Sequence, residues 1–467
     1  MSSVVEQAKP FSVRRAALAA TVGNMLEFYD FITYSFFAIQ IGHAFFPTQS
    51  EYSSLMLSLA TFGAGFVTRP IGGIVLGIYS DRIGRRPAML LSFALMGASI
   101  LTIALTPSYQ AIGLAAPIIV IAARMAQGFA LGGEVGPTTA YLIEIAPPEH
   151  RALVVAWQPA SQEIAATAGA LVGVILSKTM APEMLDSHGW RVAFLIGAVC
   201  LPFGLWMRRT LPETIPQAGA AVAAKERTGH LSLARRHLGV IALALMILAS
   251  GTISTYVTQY MTTYAQNTLH VSSTLAFAVS LVSNGIQFVG ALVGGWLADR
   301  LGRKPVMIWP QLATLLLTYP TFLWIVHAPG SLSLLVGFGL LSVIGSLPFT
   351  AFYATFTEAL PQNIRGGVFA TVYAVAIASF GGTAQLVVTW LLHVTGNPLA
   401  PAWYLLLAAI VGLVAMSLMP RDCARETASV ADLKAPRSQA GDLRFAGKCR
   451  RMRRLKGQGQ ASGRINR

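Results

Sequence analysis

The strongest constraint on the fold of this chain is a series of twelve long apolar segments separated by short polar loops. Most have the roughly 20 residues that a helix needs to cross the hydrocarbon core of a bilayer. We place these spans at residues 16–39, 54–79, 88–106, 113–143, 152–176, 191–208, 238–264, 273–297, 306–326, 332–358, 367–393 and 401–419. Only 11% of the residues are charged, against about 25% in an average soluble domain. The sequence therefore predicts an all-α membrane protein with twelve transmembrane helices.

The basic residues are unequally divided between the two sides of the predicted membrane. Among the loops between spans, those that follow even-numbered spans hold nearly all the lysines and arginines. The opposite loops hold only Lys178, with Arg191 at a helix start. Basic loops stay in the cytoplasm during insertion, so we expect both termini to be cytoplasmic. The predicted parts are an N-terminal segment, a six-helix bundle, a linker, a second six-helix bundle and a tail, at residues 1–15, 16–208, 209–237, 238–419 and 420–467.

Much of the net charge of +15 belongs to the tail, where Arg421–Arg467 contains 13 lysines and arginines against four acids. A basic, disordered cytoplasmic tail is attracted to anionic lipid, and we expect no nucleic-acid partner. The three cysteines, Cys200, Cys423 and Cys449, have no disulfide or metal-ligand spacing.

Two loop motifs recur at nearly the same offset in the two halves of the chain. The first returns 218 positions later, at Gly77, Asp81, Arg82, Gly84, Arg85 and Arg86 and then at Gly295, Asp299, Arg300, Gly302, Arg303 and Lys304. The second returns 214 positions later, at Glu144, Pro147 and Arg151 and then at Glu358, Pro361 and Arg365. A shared offset indicates two related halves of six spans each.

Six ionisable residues lie inside the predicted spans, all in the first half of the chain. They are Glu27, Asp30, Arg69, Arg124, Glu134 and Glu163. Burying a charged side chain at membrane depth is costly, so each is a functional hypothesis. We predict that the four acids take part in proton coupling and that the two arginines bind an anionic substrate.

Glu27 and Asp30 are three residues apart and share one face of the first helix. We predict that Glu27 exchanges the proton and that Asp30 pairs with Arg69, although the two acids could have the opposite roles. A fixed structural ion pair between Asp30 and Arg69 is the alternative. Glu163, in the fifth span, is either a second proton site or a protonated acid bonded to neighbouring backbone.

Arg124 shares a stripe of the fourth helix with Gln127 and Glu134. Its planar guanidinium suits a carboxylate, and the alternative is a permanent salt bridge with an acid of the first or fifth span. Neutral polar side chains complete the predicted substrate site. With the two arginines, the predicted substrate-binding residues are Asn24, Gln127, Gln158, Gln162, Tyr256, Gln259, Tyr260, Asn284 and Gln385.

The loop after the second span resembles the signature of the major facilitator superfamily. The resemblance implies a six-plus-six fold, a central cavity and alternating access by rocking of the halves. It also implies a gate in which Gly77 allows close helix approach, Asp81 faces a helix N-terminus or an arginine, and Arg85 pairs with Glu144. The predicted gating residues are Gly77, Asp81, Arg82, Gly84, Arg85, Arg86, Glu144, Arg151, Gly295, Asp299, Arg300, Gly302, Arg303, Glu358 and Arg365. The alternative is that the arginines of the first loop only set the topology.

Further motifs are similar to those of the metabolite:proton symporter family. They are Gly23-Asn24-Met25-Leu26-Glu27-Phe28-Tyr29-Asp30-Phe31, Arg69-Pro70-Ile71-Gly72, Arg124-Met125-Ala126-Gln127-Gly128 and Phe380-Gly381-Gly382-Thr383. Residues 109–117 and 156–162 look most like the citrate/tricarballylate branch. Two departures are Gln385, where relatives commonly have proline, and the extra acid Glu163. The resemblance implies a monomer in the inner membrane of a bacterium.

The sequence thus predicts a secondary transporter that imports a small organic acid, such as citrate or another tricarboxylate, with protons. The alternatives are a proton symporter for a dicarboxylate, a shikimate-like acid or a zwitterionic osmolyte, or an exporter of the same fold. No G-x-S-x-G, HExxH or P-loop signature favours an enzyme, and no cofactor or metal is predicted. The expected partners are the organic anion, protons and the lipid bilayer.

Overall fold

The computed structural model describes residues 24–25, 28–83, 85–132, 139, 142, 146–199, 237–360 and 365–419. Within these residues every regular element is a helix, and no strand occurs. Nearly all of the predicted linker and the whole tail lie outside the described residues, as do Glu27, Gly84, Glu134 and Glu144. The all-α prediction is confirmed.

The helices before residue 200 are numbered in chain order. They are α1 at 28–36, α2 at Ala38–Phe45, α3 at Glu51–Val67, α4 at Arg69–Ile83, α5 at Arg85–Leu105, α6 at Tyr109–Ile112, α7 at Ala115–Leu131, α8 at Arg151–Thr179, α9 at Pro182–Met184 and α10 at Trp190–Val199. A short 3₁₀ turn at Pro148–His150 precedes α8, and a π-helical segment at Leu185–Gly189 precedes α10.

The later helices are longer and more regular. They are α11 at Leu238–Asn267, α12 at Ser273–Leu301, α13 at Arg303–His327, α14 at Ser331–Glu358, α15 at Arg365–Ala376, α16 at Gly382–Thr395 and α17 at Ala400–Leu418. A π-helical segment at Ile377–Gly381 joins α15 to α16. The predicted bounds of these six spans lie within about four residues of the observed ones.

The surface of the helices suits a lipid environment. In the described part of the chain, eight helical stretches are long and apolar enough to cross a membrane. Two shorter helical stretches, Leu90–Leu105 and Ala115–Leu131, are also apolar. Large apolar side chains such as Trp309, Leu332 and Leu407 are exposed on the outer faces. Hydrocarbon tolerates such a surface, whereas water opposes it.

The helix at the first span continues beyond the predicted end of that span. We placed its end at residue 39, but the chain remains helical through α2 to Phe45. Ile41 and Phe45 are fully buried, and α2 packs against α3. The apolar run is interrupted by polar residues in the sequence, which hid this last part of the helix.

A close helix crossing positions the two buried arginines. Gly128 of α7 packs directly against the backbone oxygen of Gly65 in α3, and a Cβ atom at position 128 would overlap that oxygen. Small residues let membrane helices approach to this distance. The crossing brings Arg124, one turn before Gly128, close to Arg69 at the start of α4.

Candidate functional site

Arg124 lies on α7 and its side chain is fully buried. The guanidinium carbon is 4.4 Å from the ring centres of Phe31 and Tyr34 and 5.1 Å from the ring centre of Phe62. Aromatic faces attract a desolvated cation by about 2 kcal/mol. The rings therefore replace part of the hydration that the buried charge has lost.

Arg69 shares one of these rings. Its guanidinium carbon is 4.4 Å from the ring centre of Phe31 and 4.6 Å from that of Phe66, and only 3% of the residue is exposed. Two positive charges thus lie in one aromatic enclosure. We call it the arginine cage and define it as Arg69, Arg124, Phe31, Tyr34, Phe62 and Phe66.

The N–H groups of the cage are incompletely bonded. Arg124 Nη1 donates a 2.7 Å hydrogen bond to Gln127 Oε1, whereas Nε and Nη2 of Arg124 have no partner. Nε and Nη2 of Arg69 also lack a partner. No ion pair joins either arginine to an acid that the structure describes. The salt bridge considered as the alternative role of Arg124 is therefore not formed with a described acid, and the site is open to an anion.

Asp30 forms no ion pair with the cage, although it lies within electrostatic range of Arg124. It is 1% exposed, its Oδ1 atom has no hydrogen-bond partner, and that atom packs against Gly197 of α10. The ion pair that we predicted between Asp30 and Arg69 is not formed in this structure. Neighbouring residues on a helix point in different directions, so Phe31 faces the arginines while Asp30 faces α10.

A cavity of about 90 Å³ adjoins the cage. Its lining includes Gln162 and Glu163 of α8, Tyr256 of α11, Gln287 of α12, Tyr353 of α14 and Tyr373 of α15. Tyr256 connects the two regions, because its ring centre is 5.1 Å from that of Phe66 and 6.0 Å from that of Phe62. The structure thus brings three of the predicted residues, Gln162, Glu163 and Tyr256, to one cavity.

Two tyrosines separate this cavity from Arg69. Tyr373 lines the cavity and also a void of about 10 Å³ that Arg69 borders. The Tyr256 hydroxyl interacts with the Arg69 side chain. A solute in the cavity therefore meets two tyrosines before it meets a guanidinium. Tyr373 was not among the predicted site residues, because it is one of several aromatic residues in an apolar span without charged residues.

Other predicted polar residues are buried away from the cavity wall. Asn24 Nδ2 donates hydrogen bonds to Ser161 Oγ at 2.7 Å and to the backbone oxygen of Gln158 at 3.3 Å. The amide group of the Gln158 side chain has no partner. Tyr260 accepts a 2.9 Å hydrogen bond from Thr389. Gln259 and Asn284 are buried as well.

Gln385 joins the first span to the second half of the chain. Its Nε2 atom donates to Ser35 Oγ at 2.6 Å and to the backbone oxygen of Tyr256 at 3.3 Å. The Gln385 amide therefore holds the backbone of the tyrosine that borders the cage.

At the end of the molecule where α8 begins, the second copy of the loop motif makes a tight contact. The Asp299 carboxylate accepts hydrogen bonds from the backbone N–H groups of Ala152 at 3.0 Å and Leu153 at 2.9 Å. A helix N-terminus favours a negative charge. Glu358 forms an ion pair with Arg303 and lies 3.7 Å from Arg151 Nη1.

The two copies of the motif differ in packing. A Cβ atom at Gly295 would lie 2.8 Å from Ala156 Cβ, whereas no described atom lies within 4 Å of the same position at Gly77. Among the described residues, therefore, nothing packs closely against Gly77. Arg300 stacks on Trp296, with its guanidinium carbon 4.2 Å from the ring centre. The side chains of Asp81, Arg82, Arg85, Arg86 and Arg365 lie outside the described part.

A wider cavity of about 720 Å³ lies at the opposite end, where α8 finishes. His43 Nδ1 is 3.0 Å from Asp186 Oδ2 at its edge. The hydrogen bond to the Asp186 carboxylate raises the pKa of His43 above the ordinary histidine value, whereas partial burial lowers it.

Comparisons with known proteins agree with this architecture. Residues 16–216 match the family described as sugar (and other) transporters. Citrate-proton symporters of Salmonella typhi and Klebsiella pneumoniae are each 36% identical, over 86% and 87% of this chain and 93% and 91% of their own lengths. An alpha-ketoglutarate permease of Escherichia coli is 31% identical over 87% of this chain and 93% of its own.

Solved structures show the same fold. A D-xylose-proton symporter superposes with a TM-score of 0.69 at 20% identity, covering 87% of this chain and 97% of that chain. The fold and the comparisons define a multi-pass secondary transporter of the major facilitator type, not an enzyme. Within that class, the chain belongs to the metabolite:proton symporter family, as its loop and span motifs predicted.

Proposed function

We propose that this transporter imports citrate or a similar tricarboxylate together with protons, by alternating access. The observation that carries the proposal is the arginine cage, in which two buried guanidinium groups have N–H atoms without partners. Guanidinium groups bind carboxylates through paired, charge-assisted hydrogen bonds. The identity of 36% to two citrate-proton symporters supports the proposal.

Substrate binding would complete the cage. A carboxylate that passes Tyr256 and Tyr373 supplies the acceptors that Arg69 and Arg124 lack. Because the site is already desolvated, the attraction between guanidinium and carboxylate is stronger than in water. The loaded cage is then more stable than the empty one, which favours closure around the substrate.

Asp30 is the proposed proton carrier within the described residues. Its Oδ1 atom is buried without a hydrogen-bond partner. An ionised Asp30 competes with the substrate for the positive potential of the cage, and protonation removes this competitor. Substrate and proton therefore favour each other's binding. The same role remains predicted for Glu27 and Glu134.

The contacts of Asp299 and Glu358 are the proposed cytoplasmic gate. They must separate for release into the cell, and they re-form when the cavity faces outward. The charge pattern of the loops supports a cytoplasmic location for this end, for both termini and for the linker between two six-helix bundles. We also propose that the basic tail lies on anionic lipid and that the transporter acts as a monomer.

The test is uptake of radiolabelled citrate by proteoliposomes under an imposed proton gradient. Wild-type protein should accumulate citrate only when the outside is the more acidic side. Arg124→Gln should lower uptake by about a hundredfold, because a buried charged hydrogen-bond donor is lost. Lys178→Gln, which removes an exposed positive charge, is the matched control and should transport normally. Wild-type protein that accumulates no carboxylate under the gradient contradicts the proposal.

A dicarboxylate is the second candidate substrate. An alpha-ketoglutarate permease is 31% identical, and two carboxylates are enough to satisfy two guanidinium groups. A putative proline/betaine transporter of Staphylococcus aureus is 30% identical over 87% of this chain and 88% of its own, but the positive cage opposes a cationic ammonium group. A panel of unlabelled competitors in the same assay ranks these substrates.

A further inference from the structure

Gln385 of α16 is a fully buried amide whose donors are shared between the two halves of the fold. Its Nε2 atom donates to Ser35 Oγ of α1 at 2.6 Å and to the backbone oxygen of Tyr256 in α11 at 3.3 Å. An amide nitrogen carries two hydrogens, so both donors are used. Ser35 belongs to the first half, whereas Tyr256 and Gln385 belong to the second. The bond to Ser35 can therefore exist only while the two halves are in contact at this level.

The start of α16 packs closely against both α3 and the arginine cage. A Cβ atom at Gly63 of α3 would lie 2.7 Å from the backbone oxygen of Gly382, the first residue of α16. A Cβ atom at Gly381 would lie 2.8 Å from the Tyr256 ring and 3.2 Å from the ring of Phe66, a member of the cage. Glycine at these positions allows the helices to approach to this distance. The π-helical segment before α16 thus ends against the cage, and such segments are frequent at functional sites.

The contact between α3 and α16 continues to the end of the molecule where α8 finishes. The ring of Tyr52, near the start of α3, stacks on that of His393, near the end of α16, with the ring centres 3.7 Å apart and the planes at 12°. Leu59, which lies between this stack and the glycine contact along α3, is fully buried. We call the contact of residues 52–63 with residues 382–393 the outer seam, because it lies at the end opposite the proposed cytoplasmic gate.

We propose that Gln385 is a positioning residue that latches the outer seam and at the same time holds Tyr256 against the arginine cage. The Tyr256 side chain borders the cavity and interacts with Arg69. A solute that enters from outside requires an open seam, and opening breaks the bond between Gln385 and Ser35. Closure restores this bond, so outer closure and completion of the cage around the substrate are linked. The inference rests on the proposed function, from which it takes alternating access and a substrate in the cage.

Gln311 of α13 offers a matched control for the loss of a buried amide. It is also buried, and its Nε2 atom donates to Ser250 Oγ at 3.4 Å and to the backbone oxygen of Ala409 at 3.2 Å. All three residues belong to the second half, so these bonds do not cross between the halves. Leucine at either glutamine removes the same kind of group, but only Gln385→Leu removes a contact between the halves.

The first experiment measures opening of the outer seam without substrate. A cysteine is placed at Leu59 after the three native cysteines are changed to serine, and a membrane-impermeant thiol reagent is added outside vesicles of native orientation. Gln385→Leu should raise the labelling rate about tenfold over this parent protein, because a buried hydrogen bond that favours closure is lost. Gln311→Leu should leave the labelling rate unchanged.

A milder substitution isolates the bond between the halves. Ser35→Ala removes only the acceptor and leaves the bond from Gln385 to Tyr256 in place, so it tests the latch even if Gln385→Leu does not fold. It should also raise the labelling rate. In the double variant the effect of Ser35→Ala should be much smaller, because both substitutions remove the same bond.

The second experiment measures uptake of citrate by proteoliposomes. Gln385→Leu should lower kcat about tenfold without raising KM, because the loaded transporter closes less readily while the open state still binds substrate. Gln311→Leu should keep both constants even if its melting temperature falls. Citrate should slow labelling of the cysteine placed at Leu59 in the parent protein, and it should slow labelling less when Gln385 is leucine.

Three results overturn the inference. They are equal labelling of Gln385→Leu and Gln311→Leu, labelling of Ser35→Ala at the rate of the parent protein, or a raised KM with unchanged kcat in Gln385→Leu, which makes Gln385 a binding residue. The proposed function fails differently. Wild-type protein would then accumulate no citrate and citrate would not slow labelling, whatever the rates of the variants without substrate.

Discussion

Phe31 is the residue on which the substrate site depends most directly. Its ring centre is 4.4 Å from both guanidinium carbons of the cage. It therefore stabilises two charges that repel each other. Its role could not be read from the sequence, because a phenylalanine in an apolar span is ordinarily a packing residue.

Replacing Phe31 by leucine should destabilise the empty transporter. The substitution keeps an apolar side chain but removes two cation–π contacts, at a cost of about 1 kcal/mol or more. Phe37→Leu is the control, since Phe37 is equally buried but its ring centre lies 5.0 Å from that of Phe277 and it contacts no described arginine. Thermal unfolding in detergent should show a lower melting temperature for Phe31→Leu, partly restored by citrate. Equal melting of the two variants contradicts this view.

The pair of His43 and Asp186 should make stability depend on pH. The pKa of His43 is raised in the folded protein. The stabilisation by the pair is therefore fully present below the pKa of histidine in the unfolded chain, about 6.5. This stabilisation is lost as pH rises through the pKa of His43 in the folded protein. Asp186→Asn should therefore lower the melting temperature at about pH 5.5 and have little effect at about pH 8.5. The loss is below about 1 kcal/mol, since both groups are half exposed. An equal effect at both pH values excludes the pair as its cause.

At the scale of helices and loops, the two copies of the repeated motif differ in their contacts. The copy at the end of α12 fits closely against α8, and Asp299 bonds the first N–H groups of that helix. At the end of α4, no described atom lies within 4 Å of a Cβ atom built on its glycine. Among the described residues, the two similar sequences thus make different contacts.

Alanine at the two equivalent glycines should separate these roles. Gly295→Ala places a Cβ atom 2.8 Å from Ala156 Cβ and 2.9 Å from Leu153 Cα, an overpacking that costs about 1–3 kcal/mol. Gly77→Ala has room and should be neutral or slightly stabilising, because alanine favours a helix. The melting temperature and citrate uptake of both variants are measured. The prediction is wrong if Gly77→Ala is the more damaging substitution.

At the scale of the whole molecule, the proposed gate at the α8 N-terminal end is held by few polar contacts among the residues that the structure describes. Asp299→Asn removes the charge that two backbone N–H groups bind, and the equilibrium should shift toward opening at that end by about tenfold. Labelling of a cysteine placed at Ala156, which is fully buried, measures the opening after Cys200, Cys423 and Cys449 are changed to serine. Glu149→Gln is the control with the same kind of charge change. A labelling rate unaffected by Asp299→Asn excludes the gate.

The sequence predicted much of the architecture and less of the site. Apolar length and basic loops are local properties, so the helices from Leu238 to Leu418 lie close to their predicted places. Arg69 and Arg124 were identified because a charge in an apolar span is conspicuous. The partners of these arginines were not identified from the sequence, because Phe31 and Tyr373 are brought to the arginines only by helix packing. The predicted pairing of Asp30 failed because spacing along a helix does not fix which neighbour a side chain faces.

The unneutralised charge of the two guanidinium groups has an electrical consequence for the transport cycle. After the acid and its proton leave on the inside, the two guanidinium groups of the cage carry more positive charge than the one ionised carboxylate of Asp30 balances, so the cage turns outward with a net positive charge among the described residues. A voltage that is negative inside opposes this turn, by up to about 2.3 kcal/mol per charge for each 100 mV. Exchange of external for internal substrate avoids the unloaded turn. Exchange should therefore run faster than net entry, and the difference should grow with the voltage.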